Sequence, residues 1–146
     1  MRDRLQQETK RALKAQDKAR LGALRLINAA LKDREIAQRT DTLSDQEVVA
    51  VLQRMLKQRR ESFAIYAKAG RQDLADQEAR EIAVIEEFLP AQMGEAEVKA
   101  AIAGIIAEVG ASGPKDMGKV MAALKERYAG QIDMGKASGL AKALLG

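Results

Sequence analysis

Cysteine and histidine are both missing from this chain of 146 residues. Their absence excludes thiol catalysis, disulfides, Ser-His-Asp and Cys-His nucleophiles, and every zinc site that needs sulfur or imidazole; carboxylates alone are left as metal ligands. Tryptophan is absent too, and the aromatic residues are only Phe63, Tyr66, Phe88 and Tyr128. All four fall on or near apolar stripes, so ring platforms for stacking single-stranded bases are lacking. No apolar run approaches membrane-spanning length, and Met1-Arg2-Asp3-Arg4-Leu5-Gln6-Gln7-Glu8 lacks the apolar core of a signal peptide. A cytoplasmic protein without membrane contact is expected. Neither strand-like alternation nor a repeat at solenoid period is found.

What is present is 47% hydrophobic residues, enough for a packed core in one ordinary domain or two small ones. The net charge of +4 conceals a segregation: residues 2 to 71 carry 17 Lys and Arg against 9 acids. Residues 72 to 97 carry one Arg against 8 acids, and residues 98 to 146 carry 7 bases against 4 acids. A polyanion-binding face is one reading of such asymmetry, and a basic helix lying beside an acidic one is the other. For residues 72 to 97 the second is preferred.

Apolar spacing of three and four predicts helices throughout. Leu5, Ala12 and Leu13 mark a first helix, and Leu21, Leu24, Ile27, Leu31 and Ile36 a second, capped by Asp17. Asn28, on that second stripe, is read as a hydrogen-bonded structural residue. Ser44 with Glu47 forms a capping box, and Leu43 with Val48 a hydrophobic staple, before a third helix bearing Val48, Val51, Leu52, Met55, Ser62, Phe63 and Tyr66. Gly70 is its terminating residue. Arg59 interrupts that face and is read as pairing with an acid of the fourth helix, a phosphate contact being the alternative. The fourth helix, about residues 72 to 88, has a spacing of acids that reads as a salt-bridged face, not a metal site.

Pro90 must end this helix, because it lacks the amide donor and disfavours helical geometry at Leu89. Gly94 then caps a new helix, with Glu97 three residues on and Met93 and Val98 as a staple. The stretch is a short joint. Beyond it, Val98, Ala101, Ile102, Ile105, Ile106 and Val109 predict one helix and Met117, Val120, Met121, Leu124 and Tyr128 a second, begun by Pro114 and stopped by Gly130. Ala137, Leu140, Ala141 and Leu144, behind Asp133 as cap, predict a third. The expected fold is all-α: a four-helix domain over residues 1 to 92 and a three-helix domain over residues 93 to 146.

Several ordered stretches resemble the GatB/YqeY family, small YqeY-like proteins related to the tail of the B subunit of the tRNA-dependent amidotransferase. They are Leu24-Arg25-Leu26, Lys57-Gln58-Arg59-Arg60-Glu61-Ser62, Ala69-Gly70-Arg71-Gln72-Asp73-Leu74-Ala75 followed by Glu78 and Glu81, and Phe88-Leu89-Pro90. Met117-Gly118-Lys119-Val120-Met121, Gly130, Asp133 and Leu144-Leu145 continue the match. The family's usual serine or threonine after Leu-Pro is Gly94 here. The resemblance implies a helical N-terminal domain with a smaller helical one behind it, and a tail that engages tRNA while chemistry occurs elsewhere. No Gly-rich phosphate loop or Ser-Lys amidase constellation can be placed, so no catalytic residue, cofactor or metal is assigned.

Lys115, Lys119, Lys136 and Lys142 lie near helix starts or turns of the C-terminal segment, where ammonium groups and helix amides together would hold phosphates, and Gly118 permits close approach of a neighbouring helix, the commoner case, or of an RNA backbone. Arg25, Lys57, Arg59 and Arg60 form a secondary basic face. Two functions stay open: a non-catalytic tRNA-binding accessory module, or a module docking on an amidotransferase or tRNA synthetase without touching RNA. A lysine-bearing face serves either.

Overall fold

The computed structural model describes residues 1–146 and contains seven α-helices and no strand. They are α1 (Arg2–Lys14), α2 (Lys18–Gln38), α3 (Asp45–Lys68), α4 (Gln72–Glu87), α5 (Glu95–Val109), α6 (Met117–Tyr128) and α7 (Met134–Leu145), with one 3₁₀ turn at Pro114–Asp116. The chain divides into two compact units, Met1–Pro90 and Ala91–Gly146.

Local chemistry sets the helix ends. Asp17 accepts the Arg20 amide at 3.1 Å and starts α2. Ser44 accepts the Glu47 amide at 3.2 Å while the Glu47 carboxylate returns to Ser44, completing the capping box of α3. Gly70 adopts φ +74°, which lets the chain turn from α3 into α4 without a Cβ clash. At the end of α2 the left-handed position falls to Arg39, at φ 54°, with the Arg39 and Thr40 amides returning to the Ile36 and Glu35 carbonyls. No glycine signals that turn in the sequence.

The first core gathers Leu5 and Ala12 of α1, Leu24, Ile27 and Leu31 of α2, Leu52 and Leu56 of α3, and Val84, Ile85, Phe88 and Leu89 at the end of α4. Among the expected stripe residues, Leu13, Ile36 and Phe63 are exposed, and Tyr66 lies outside this core. At 100° per residue, the inward position near the end of α2 goes to Glu35 and its neighbour Ile36 turns outward. Glu35 is buried because Arg2 reaches it at 3.0 Å. Arg2 also donates to Asn28 at 3.3 Å, Asn28 donates to Thr9 at 3.2 Å, and Thr9 donates to the Leu5 carbonyl at 2.7 Å. The structural reading of Asn28 therefore holds. On another side Arg20 bridges Glu8 and Glu87, and Arg4 lies 4.7 Å over the Phe88 ring while donating to the Glu87 carbonyl. Those arginines fasten α1 and α2 to the C-terminal end of α4, where unpaired carbonyls welcome positive charge.

Beyond Leu56 on α3 and before Ile82 on α4, the two helices face each other without members of that core. Fully buried Ala75 lies in that stretch of α4, together with charged contacts. Arg59 lies 3.2 Å from Glu81 and 3.7 Å from Glu78; nearer the core end of α4, Arg60 pairs with Glu86 at 2.9 Å. One guanidinium thus serves two largely buried carboxylates, and the Oε2 atoms of Glu78 and Glu81 accept no aligned hydrogen bond. Burial holds the Glu78 carboxyl above its ordinary value of 4.5; Arg59 opposes the shift and Glu81 adds to it.

The second core gathers Val98, Ile102 and Ile105 of α5, Val120 and Leu124 of α6, Ile132 before α7, and Ala137 and Ala141 of α7. Val109 and Leu144, expected on its stripes, are exposed helix-end residues. Met93 and Val98 both contribute to this core, and Gly94 caps α5 without a side chain of its own. The segment before α5 is tied within its unit: Gln92 donates to the Gly130 carbonyl at 2.6 Å and the Met93 amide to the Gln131 carbonyl at 2.9 Å.

The charge imbalance between α3 and α4 makes stability depend on pH. Because the folded-state value of Glu78 is raised, its contribution is fully present below 4.5 and is lost as pH rises through the higher folded value. Glu78→Gln is expected to flatten that decline and raise the thermal midpoint at neutral pH, measured by circular dichroism across a pH series; a lower midpoint would show that its pairing with Arg59 outweighs burial. Arg59→Ala removes the only guanidinium between the two acids and should cost about 1–3 kcal/mol at neutral pH, with part of the loss recovered in acid. Chemical denaturation at both pH values checks this.

Candidate nucleic-acid interface

Lys115, Lys119, Lys136 and Lys142 belong to the C-terminal unit, and all four are exposed. Two local devices place them. The first lies between α5 and α6: Gly110 ends α5 at φ 66°, and the loop is clamped where Asp116 accepts the Ser112 amide at 2.9 Å and the Ser112 hydroxyl at 3.4 Å. Pro114 opens a 3₁₀ turn carrying Lys115, and α6 begins at Met117. The Ser112 amide holds the Asp116 carboxyl below its ordinary range, with the charges of Lys119 and Lys115 acting the same way. Both lysines thus stand close enough to a carboxylate for part of their field to be neutralised.

The second device is the start of α7. Asp133 accepts the Gly135 amide at 2.9 Å and the Lys136 amide at 3.4 Å. The amides that were expected to join Lys136 in holding a phosphate are therefore occupied by a carboxylate, and an incoming anion would meet that negative charge first. That leaves Lys136 its exposed ammonium to offer a ligand. Lys142 sits in the last turn of α7, where positive charge also favours the helix end. Six positions apart, Lys136 and Lys142 are about 120° apart around the helix, on either side of the direction opposite Ala137 and Ala141. They flank one outward face.

Gly118 lies in the first turn of α6, exposed, with nothing within 4 Å of where a Cβ would stand. No neighbouring helix of the chain presses on it, so the more ordinary explanation for a glycine there does not apply. Arg127 of α6 is engaged by Glu108 of α5 through two contacts of 2.6 and 2.7 Å. The Ser112–Asp116 clamp was not anticipated from the sequence, although serine and aspartate four positions apart around a Gly-Pro turn are its visible signal.

The secondary basic face is divided. Arg59 and Arg60 are directed at acids of α4, Lys57 is exposed on α3, and Arg25 is exposed on α2. Arg59 and Arg60 thus have acid partners inside the fold.

A protein from Kluyveromyces lactis, altered inheritance of mitochondria protein 41, mitochondrial, is 31% identical over 113 residues, covering 75% of this chain and 60% of that protein. Its namesake in Eremothecium gossypii is 32% identical over 87 residues, 60% of this chain and 48% of the relative. A third, from Lachancea thermotolerans, is 27% identical over 113 residues. The chain spans roughly half to three-fifths of the length of these relatives. No helix is long and apolar enough to cross a membrane. The family model of YqeY-like proteins matches residues 2–145, nearly the full chain, which therefore belongs to the YqeY-like family.

Proposed function

We propose that this YqeY-like chain is a non-catalytic accessory module that binds folded RNA, tRNA in the first instance, through its C-terminal unit in a cytoplasmic setting. The observation that carries the reading is the group of exposed lysines, Lys115, Lys119, Lys136 and Lys142, around α6 and α7, together with an open approach at Gly118. Scarcity of exposed rings favours reading of phosphates and shape over base stacking. The kinship with the tail of the amidotransferase B subunit supports tRNA as the ligand.

A second reading is docking on an amidotransferase or tRNA synthetase without RNA contact. It is favoured by the carboxylates of Asp116 and Asp133, which weaken the anion-attracting field at two of the places where phosphates would sit. Replacing Lys115, Lys119 and Lys136 together by Ala separates the two. If the unit holds RNA, tRNA affinity should fall at moderate salt, and the slope of log affinity against log salt should flatten by roughly 0.7–0.9 per lost contact. Thermal stability should hardly change, since exposed lysines contribute little. Unchanged affinity and slope in the folded variant would exclude the phosphate site and favour docking.

We also propose that the two units are separate domains. Fragments 1–92 and 93–146, expressed apart, should each unfold cooperatively on heating, with the smaller one the less stable because a core of that size is marginal without metal or disulfide. Two fragments that both melt without a cooperative transition would refute this.

A further inference from the structure

We infer that the outward side of α2 is a docking seam for an amphipathic helix of a partner protein whose flank carries a row of acidic residues. A surface helix needs one apolar stripe, facing its core. In α2 that stripe is Ala23, Leu24, Ile27 and Leu31, continued by the paired Glu35. The opposite side carries a second pattern. Ala19, Leu26 and Asp33 recur at seven-residue steps, and Gly22, Ala29 and Ile36 recur three positions behind each. These are the a and d positions of a coiled-coil seam, extending about 25 Å at 1.5 Å per residue.

All six residues are exposed, with Leu26 at 42% and Ile36 at 65%, and there is open space beyond Gly22. Small residues at three of the positions permit a close helix–helix approach, while Leu26 and Ile36 supply apolar knobs.

Charge selects the occupant. Lys18, Arg25 and Lys32 each stand one residue before an a position, and Arg39 continues the row at the C-cap, so a cation recurs about every 10.5 Å along one edge. In a helix pair that edge is the g row, whose ion pairs choose partner and orientation. Lys32 also lies 3.8 Å from Glu35, leaving the row cationic overall. A second copy of this chain does not fit: antiparallel pairing sets cations against cations, and parallel pairing sets them against Ala23, Ala30 and Ala37. Acids at heptad spacing on another protein's helix satisfy the edge, and a Lys or Arg opposite Asp33 fixes the register. RNA phosphates would meet the cations but gain nothing from Leu26 and Ile36. The seam belongs to the N-terminal unit and does not depend on the phosphate reading of the C-terminal one.

The test uses the full chain and a labelled helical peptide of about three heptads, with Leu at its seam, Glu along its flank and one Lys opposite Asp33. Fluorescence anisotropy should show this peptide binding at least tenfold more tightly than one with Lys in place of Glu. Lys18→Glu combined with Arg25→Glu should reverse the order, with unchanged helical circular dichroism because both residues are exposed. Equal binding of the two peptides, or an order that survives charge reversal, would overturn the proposal. A benzophenone amino acid at Ala29 then asks what occupies the seam in cells. Crosslinks to a protein segment with acids at seven-residue spacing are expected. RNA or a second copy of the chain as the main product, or no product above that from the same group at exposed Gln77, would also overturn it.

Discussion

The end of α4 constrains the rest of the molecule. Phe88 and Leu89 are buried in the first core, and Pro90 forbids the helix from continuing past them, so the chain leaves that core at a fixed residue. Arg4 and Arg20 reinforce the same point, one over the Phe88 ring and on the Glu87 carbonyl, the other on the Glu87 carboxylate. Four residues after Leu89, Met93 already packs in the second core. A short, doubly anchored stretch therefore decides where one core ends and the other starts.

The polar contacts within the first unit fall into two kinds. Buried Glu35 is matched by Arg2, and where α1, α2 and α4 meet the more exposed Glu8 and Glu87 share Arg20, with Arg11 also on Glu8. Between the outer halves of α3 and α4 the balance fails, because Arg59 must answer both Glu78 and Glu81. Low-dielectric surroundings amplify this difference, since a satisfied network rigidifies and a partly satisfied one costs stability. The arginine that sequence alone offers as a nucleic-acid contact thus does its main work inside the fold, while the exposed lysines of the second unit are left to face solvent.

Much of this was legible in the sequence, and the reason is chemical. Caps at Asp17, Ser44 and Asp133, the turn at Gly70 and the stop at Pro90 all rest on interactions within a few residues, which the sequence displays directly. The edges of the apolar stripes were not legible. Whether Leu13, Ile36 or Phe63 is covered depends on where neighbouring helices end, and only tertiary contacts decide that. Glu35 is the same lesson reversed: a charged residue enters the core because Arg2 arrives from another helix. In the candidate site, the lysines were legible as cations, but the neutralising reach of Asp116 depended on a loop closure that periodicity does not describe.

The second unit also carries glycines inside α5 and α7, at Gly104 and Gly139, where nothing in the chain comes within 4 Å of the place a methyl group would occupy. Packing does not require them. Each forgoes roughly 1 kcal/mol of helix stability relative to alanine in a unit whose core is already small. The free energy for opening a turn of either helix is lowered accordingly, and amide protons there should exchange with solvent before those of the glycine-free α3. Helices α5 and α7 therefore yield locally at lower cost than α3, which has no glycine within its span.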